Sequence, residues 1–272
     1  MKVGTNKAIT SAGTGTKVPL RFILPVLRAL CQSQLVGSKV TPEQKQAFRE
    51  KGCIYIPGAL AKSVVLPVRD HLLKALKSQN IWSAGRALSQ KWKDVPIFQQ
   101  TEKLGQLISF PGLNGKIIPR NLYSHMSQLA DAPLHGQDAQ LLISLPHKVA
   151  WSLEGLNWHR DISKFQLKDL PGVQAFVLLD NVAVHGGATL ALAGSHRLDS
   201  QSLAKQRIPE LIGHDGKRSA NIGGVELSLV EMSGRPGDVY LMDMRVLHTP
   251  SINSTRQVRM MATVRYFTEH YF

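Results

Sequence analysis

Residues 237–250 read GDVYLMDMRVLHTP, and the fold turns on how this run is divided. Gly237-Asp238 opens a turn, and the residues behind it alternate. Stepping back by twos from His248 gives Val246, Met244, Met242 and Tyr240, an apolar row, whereas the other parity carries Asp243 and Arg245. Period two is the pattern of a strand with one buried face, so His248 is expected at the end of the buried row. Taken alone, a histidine in that place is more often a hydrogen-bonded core residue than a ligand.

Outward from this run the chain keeps the same character. QLLISLPH (140–147), GVQAFVLLDNV (172–182), GGATLALAGSH (186–196), GVELSLVEM (224–232) and VRMMATVRYF (258–267) are short apolar or alternating runs bounded by Gly, Pro and polar residues, and they read as strands. The N-terminal side is different. TPEQKQAFREKG (41–52) has an N-cap Thr41, Pro42 at the first helical position, Gln44 where a capping box needs it and Gly52 as a stop. CIYIPG (53–58) reads as a short strand and turn, AKSVVLPVRDHLLKALKSQ (61–79) has helical periodicity with Pro67 near its first turns, and a further helix is expected over 97–110. With no internal repeat and no linker, the expectation is one domain of class α+β over 1–272. Residues 1–18 form a basic tail, 41–120 a mainly helical support and 121–272 a sandwich or jelly-roll β core.

The 272 residues, 43% hydrophobic and 19% charged, can bury a sizeable core. Lys and Arg number 33 against 19 Asp and Glu, a net charge of +14 that favours an anionic contact, whether a substrate carboxylate or phosphate, nucleic acid or an acidic membrane. Two cysteines, Cys31 and Cys53, cannot make a disulfide framework and point to a reducing, cytoplasmic setting. Residues 1–42 lack Asp and Glu but carry Lys2, Lys7, Lys17, Arg21, Arg28 and Lys39, a composition shared with organelle transit peptides. The apolar run 18–36 is interrupted by Arg21, Pro25 and Arg28, so membrane insertion is not expected.

The chemistry begins at NWHRD (157–161). Side chains two apart on a strand leave the same face, so His159 and Asp161 can converge on one ion. By itself H-x-D is more often a surface pair. With His248 it becomes two imidazoles and one carboxylate, the minimal facial set for non-haem Fe(II), which leaves three positions for a bidentate cosubstrate and O2. Eleven residues beyond His248 stands Arg259, whose guanidinium, if directed inward, would hold the far carboxylate of a dicarboxylic cosubstrate through a bidentate pair. Arg256 has the opposite parity and is expected at the surface.

The succession WHRD, GGATLALAGSHRL and GDVYLMDMRVLHTPSINSTRQVR resembles the phytanoyl-CoA dioxygenase family of Fe(II)/2-oxoglutarate-dependent oxygenases, over about 140–267. The resemblance implies a double-stranded β-helix (jelly-roll, cupin-like) with N-terminal helices packed on it. It also implies His159, Asp161 and His248 as metal ligands and Arg259 as the 2-oxoglutarate anchor. Two departures stand out: Ala193 replaces the Pro common before Gly-Ser-His, and Pro250 falls where some members carry a hydroxyl that assists the arginine. Ser251 or Thr249 is then the candidate substitute. His196, in the Gly-Ser-His turn, is expected to be structural. Asp161 occupies the position that halogenating relatives vacate for halide, which favours hydroxylation.

The implied reaction is hydroxylation of an unactivated C–H bond with conversion of 2-oxoglutarate to succinate, using O2, with ascorbate as the reductant. Loops at the barrel mouth would select the substrate. ISKFQLKDLPG (162–172) carries Lys164 and Lys168, and SAGRALSQKWK (83–93) carries Arg86, Lys91 and Lys93, cations that would attract an anionic small molecule. An amino acid, an N-acyl amino acid or a natural-product intermediate is the expected substrate, and a coenzyme A thioester is a further option. An oxidative demethylase of nucleic acid is the competing enzymatic reading, weakened by only 6% aromatic residues and no basic stripe interleaved with them. A non-catalytic basic binding module on the same barrel is the third.

Overall fold

The computed structural model describes residues 39–83, 85–87, 91–92, 95–162, 166, 168–204 and 206–272. The expected tail, Cys31, Lys93 and Lys164 lie outside them.

The first helix, α1 (Pro42–Lys51), forms as its sequence dictates. Thr41 Oγ1 accepts from Gln44 N at 3.2 Å, Gln44 Oε1 accepts from Thr41 N at 2.8 Å, and Gly52 ends the helix at φ 69°. The stop leads directly into β1 (Cys53–Ile56). Helix α2 (Lys62–Ser78) tolerates Pro67 and buries Val65, Val68, Leu72 and Leu76 on one stripe. A two-stranded ladder, β2 (Trp82–Ser83) and β3 (Arg86–Ala87), follows. Then come α3 (Ile97–Gln106), α4 (Leu113–Ile117) and α5 (Arg120–Ala130), with α3 stopping four residues before the expected end.

The remaining strands are β4 (His135–Gly136), β5 (Gln140–Ser144), β6 (Gly172–Leu178), β7 (Thr189–Ala193), β8 (Ala220–Ile222), β9 (Val225–Glu231), β10 (Val239–Asp243), β11 (His248–Pro250) and β12 (Arg259–Phe267). They form two larger antiparallel sheets. One runs β1-β10-β6-β12-β4, with β5 also paired to β12, and the other runs β11-β7-β9-β8. Three apolar clusters follow from the alternation. Val173, Ala175, Val177, Val239 and Leu241 on one face of the larger sheet pack with Val65, Leu72 and Leu76 of α2. Phe176, Leu178, Tyr240, Met242 and Met261 on its other face meet Ala191, Ala193 and Val230 of the smaller sheet. Leu190, Leu192, Leu227 and Leu229 pack with Leu203, Ile208 and Ile212 on the far side of the smaller sheet.

Residues 237–250 are not a single strand. The chain leaves β10 at Asp243, turns through 244–247 and enters the other sheet at His248, so the two ends of the run belong to different layers. Asp243 makes the break: its Oδ1 and Oδ2 bind the Arg245 side chain, closest at 2.6 Å, its carbonyl accepts from Val246 N, and its own N–H donates to Gly52 O. His248 is nevertheless buried, as expected, because the crossing delivers it to the space between the sheets.

Candidate metal centre

His159 and His248 meet as an antiparallel pair, each backbone N–H donating to the other's carbonyl at 2.9 Å. Residues so paired send their side chains to one face, and the two rings lie 4.5 Å apart, centroid to centroid. Asp161, just beyond the bridge, places Oδ1 3.8 Å from His159 Nε2 and Oδ2 3.8 Å from His248 Nε2. One ligand atom from each of the three falls within 4.8 Å of the other two, a cluster that one ion can bind.

The surroundings orient the donors. His159 Nδ1 donates to Asn157 O at 2.9 Å and His248 Nδ1 donates to Val246 O at 3.1 Å. A carbonyl only accepts, so both Nδ1 atoms carry a proton, and Nε2 is the atom each ring offers to a metal. Burial pushes His248 down to about 4, which keeps it neutral and ligand-competent near pH 7. Burial alone would push Asp161 up. Interaction with His248, the hydrogen bond and charge of Arg265 and interaction with His159 outweigh it, holding the carboxyl below its ordinary value. With His248 neutral, the permanent charge supporting Asp161 is Arg265, whose Nε donates to Oδ2 at 2.7 Å.

A cavity of about 290 Å³ opens onto the three residues. Its wall combines Phe98, Thr101 and Glu102 of α3 with Leu142, Phe176, Thr189 and Pro250, and with polar Gln140, Asn157, Gln174 and Thr263. Arg259 is 1% exposed and stands just outside this wall. Its Nε donates to Gly187 O at 2.7 Å and its Nη1 to Leu142 O at 3.0 Å, while Nη2 has no partner among the described residues. Burial pushes this guanidinium down to about 9, and among the described residues no acid pairs with it. The Ser144 hydroxyl, on the residue opposite Arg259 in the β5–β12 pairing, is likewise buried and unpaired. An inward cation with a free amino group beside an unused hydroxyl fits a carboxylate anchor.

The hydroxyls expected to assist Arg259 are spent elsewhere. Thr249 has the opposite parity to His248 and Pro250, both of which line the cavity, and its Oγ1 donates to Pro250 O. Ser251 Oγ donates to Ala188 O at 2.8 Å. Thr189, paired across the sheet with Pro250, lines the cavity. Arg86 and Lys168 are exposed and do not line the cavity, and Lys164 lies outside the described residues. Arg256 is exposed, and His196 is structural, its Nε2 bonded to Arg49 O at 2.9 Å. Sequence reasoning missed Arg265 and Gln174. Arg265 shares the parity of Arg259, and Gln174 is the one polar residue in an apolar run, so both signals were present.

Residues 48–261 match the family model for phytanoyl-CoA dioxygenase (PhyH). The chain belongs to this family. It is therefore a non-haem iron, 2-oxoglutarate-dependent dioxygenase. Among solved structures it is similar to the non-haem α-ketoglutarate-dependent carbocyclase SnoK from nogalamycin biosynthesis, with TM-score 0.57, 21% identity and 85% of each chain covered. It is also similar to EvdO2 from Micromonospora carbonacea var. aurantiaca complexed with 2-oxoglutarate, with TM-score 0.53, 18% identity and 87% of this chain and 94% of that one covered. HygX from Streptomyces hygroscopicus, with nickel and 2-oxoglutarate bound, gives TM-score 0.52 at 15% identity over 85% and 88% of the two chains. A search by sequence among proteins of curated function finds no match. Among the described residues no helix is long and apolar enough to cross a membrane.

Proposed function

We propose that the chain hydroxylates an unactivated C–H bond of a small organic molecule, with the two sheets acting as a double-stranded β-helix. His159, Asp161 and His248 hold Fe(II), and Arg259 holds the distal carboxylate of 2-oxoglutarate, with Ser144 opposite it in the strand pairing. Bound together, the metal and cosubstrate supply the oxidising chemistry, and ascorbate serves to keep the metal reduced. The protein's part is to present three one-atom ligands on one side of the ion and to fix which C–H faces it. The observation that carries this reading is a His-Asp-His cluster with pre-oriented imidazoles, together with a buried arginine whose Nη2 has no partner among the described residues.

The cavity wall narrows the substrate. A groove of about 420 Å³ adjoins the site, sharing Phe98, Asn157 and Pro250 with it and adding Val95, Ile97, Val149, Leu156 and Ile252. Phe98 and Val149, 42% and 54% exposed, are uncovered apolar surface at this mouth. Arg265 is the only Arg or Lys among the described residues of the two walls, and its Nε is engaged by Asp161. Of the anionic small molecules expected, a natural-product intermediate with an apolar body is favoured over a free amino acid. The nogalamycin enzyme among the similar structures supports the same class.

The test is incubation of the protein with Fe(II), ascorbate, 2-oxoglutarate and air. The panel covers amino acids, N-acyl amino acids, coenzyme A thioesters and natural-product intermediates, read as succinate and as a gain of one oxygen. Asp161→Ala should abolish succinate release. Full activity in that variant, or no succinate from the wild type with any substrate, defeats the proposal.

A further inference from the structure

Asp161 is the ligand whose orientation the backbone does least to fix. His159 and His248 are locked by their mutual bridge, whereas Asp161 lies past the end of it, outside any strand. Its side chain is nonetheless 7% exposed, and its Oδ2 accepts a 2.7 Å hydrogen bond from Arg265 Nε.

Arg265 is well placed to control that carboxylate. It sits on β12, paired on one side with β5 and on the other with β6, in register with Gln174. A strand with neighbours on both edges cannot slide, because a slip of one residue would turn its inward set outward. The guanidinium is held from the other side as well, with Nη1 donating to Gln140 Oε1 at 3.1 Å. Next to it the Thr263 hydroxyl donates to Ala175 O and accepts from Gln174 Nε2, which fixes the polar wall on which Arg265 lies.

We propose that Arg265 is the positioning residue of the carboxylate ligand. By occupying Oδ2 it keeps Asp161 a one-oxygen ligand through Oδ1, so that three positions stay open for a bidentate cosubstrate and O2. The inference rests on the ligand assignment above and adds the residue that makes the third ligand single-toothed. A carboxylate free to turn would offer both oxygens to the ion and take one of the three open positions. An oxygen already accepting a charge-assisted hydrogen bond is a poorer donor to metal.

The test uses the full chain with Arg265→Met, Arg265→Lys and Gln140→Leu. Co(II) affinity is measured by titration of the metal-free protein, 2-oxoglutarate affinity at saturating Co(II), and the visible Co(II) spectrum with and without 2-oxoglutarate. Loss of a partner of this kind weakens metal binding by about 10–100-fold, and Arg265→Met should fall in that range. Arg265→Lys keeps the charge without the planar fork and should recover part of the affinity. Gln140→Leu, which frees Nη1 alone, should weaken Co(II) binding less than either. The Co(II) spectrum of the Met variant should also respond to 2-oxoglutarate less than the wild type does, because a two-oxygen Asp161 competes for its position.

Co(II) affinity within about twofold of the wild type in Arg265→Met, with the defect confined to substrate KM, would overturn the proposal and make Arg265 a substrate contact. If the Met variant does not fold, the same reading is taken on Arg265→Lys and Gln140→Leu, and unchanged affinity in both overturns it equally. Wild-type protein that binds no Co(II) defeats the ligand assignment itself, whereas a wild type that binds metal beside indifferent variants defeats this inference alone.

Discussion

Replacing Arg259 by Met separates a structural arginine from an anchor. In the free protein the guanidinium is buried and, among the described residues, meets two backbone carbonyls and no acid, so burial pushes it well down from its ordinary value, to about 9. That displacement corresponds to roughly 4–5 kcal/mol of unfavourable burial, at about 1.4 kcal/mol per unit. Removing the charge recovers this, while orphaning Gly187 O and Leu142 O costs about 1–3 kcal/mol each. The two effects nearly cancel, and urea unfolding of the cosubstrate-free variant should lie within about 2 kcal/mol of the wild type. With 2-oxoglutarate present the balance changes. Losing one partner of a buried charge-assisted pair costs about 2–5 kcal/mol, which is a drop of roughly 30-fold to several thousand-fold in 2-oxoglutarate affinity. Calorimetric titration of 2-oxoglutarate into the Mn(II)-loaded protein reads that loss directly. A variant that binds 2-oxoglutarate normally, or one that loses more than about 5 kcal/mol without the cosubstrate, would show that the arginine is structural.

Two further outcomes follow from the same coordinates. Gly237 has φ 90°, and a Cβ there would fall on the Leu60 carbonyl oxygen of a segment that Gly237 O already holds by accepting from Leu60 N at 2.9 Å. Gly237→Ala should cost about 3 kcal/mol in urea unfolding, and a change below about 0.5 kcal/mol would contradict the geometry. His248 has a folded value of about 4 against an ordinary 6.5, so between those pH values the unfolded chain takes a proton that the folded chain refuses. Its contribution to stability is complete above pH 6.5 and is lost as pH falls toward 4. The metal-free wild type should therefore lose about 2–3 kcal/mol more than His248→Gln between pH 7 and pH 4.5, and equal losses would show that His248 is not held neutral.

Much of the site was legible because its signals are local. The capping box at Thr41 and Gln44, the stop at Gly52 and the alternating runs after residue 120 each depend on a few neighbouring residues, and each appears where expected. H-x-D, the distal histidine and an arginine eleven residues later are likewise a pattern of type and spacing. The run 237–250 reads wrongly at one point for an equally physical reason. Alternation records which residues are buried, but it does not record that the chain changes sheets between Asp243 and His248.

Hydroxyl roles fared worse. Thr249 and Ser251 lie at the right place in the chain, yet their oxygens bond the backbone, and Thr189, some 60 residues earlier, faces the cavity through its pairing with Pro250.

What the sequence by itself determined is the class of chemistry, because the candidate ligands stand in motifs recognisable by residue type and order along the chain. What the tertiary structure alone decided is who attends those ligands. Arg265 on Asp161, Thr189 beside Pro250 and the apolar mouth at Phe98 are each set by which strand lies against which, and cross-strand register is a property of the assembled sheet rather than of any one segment.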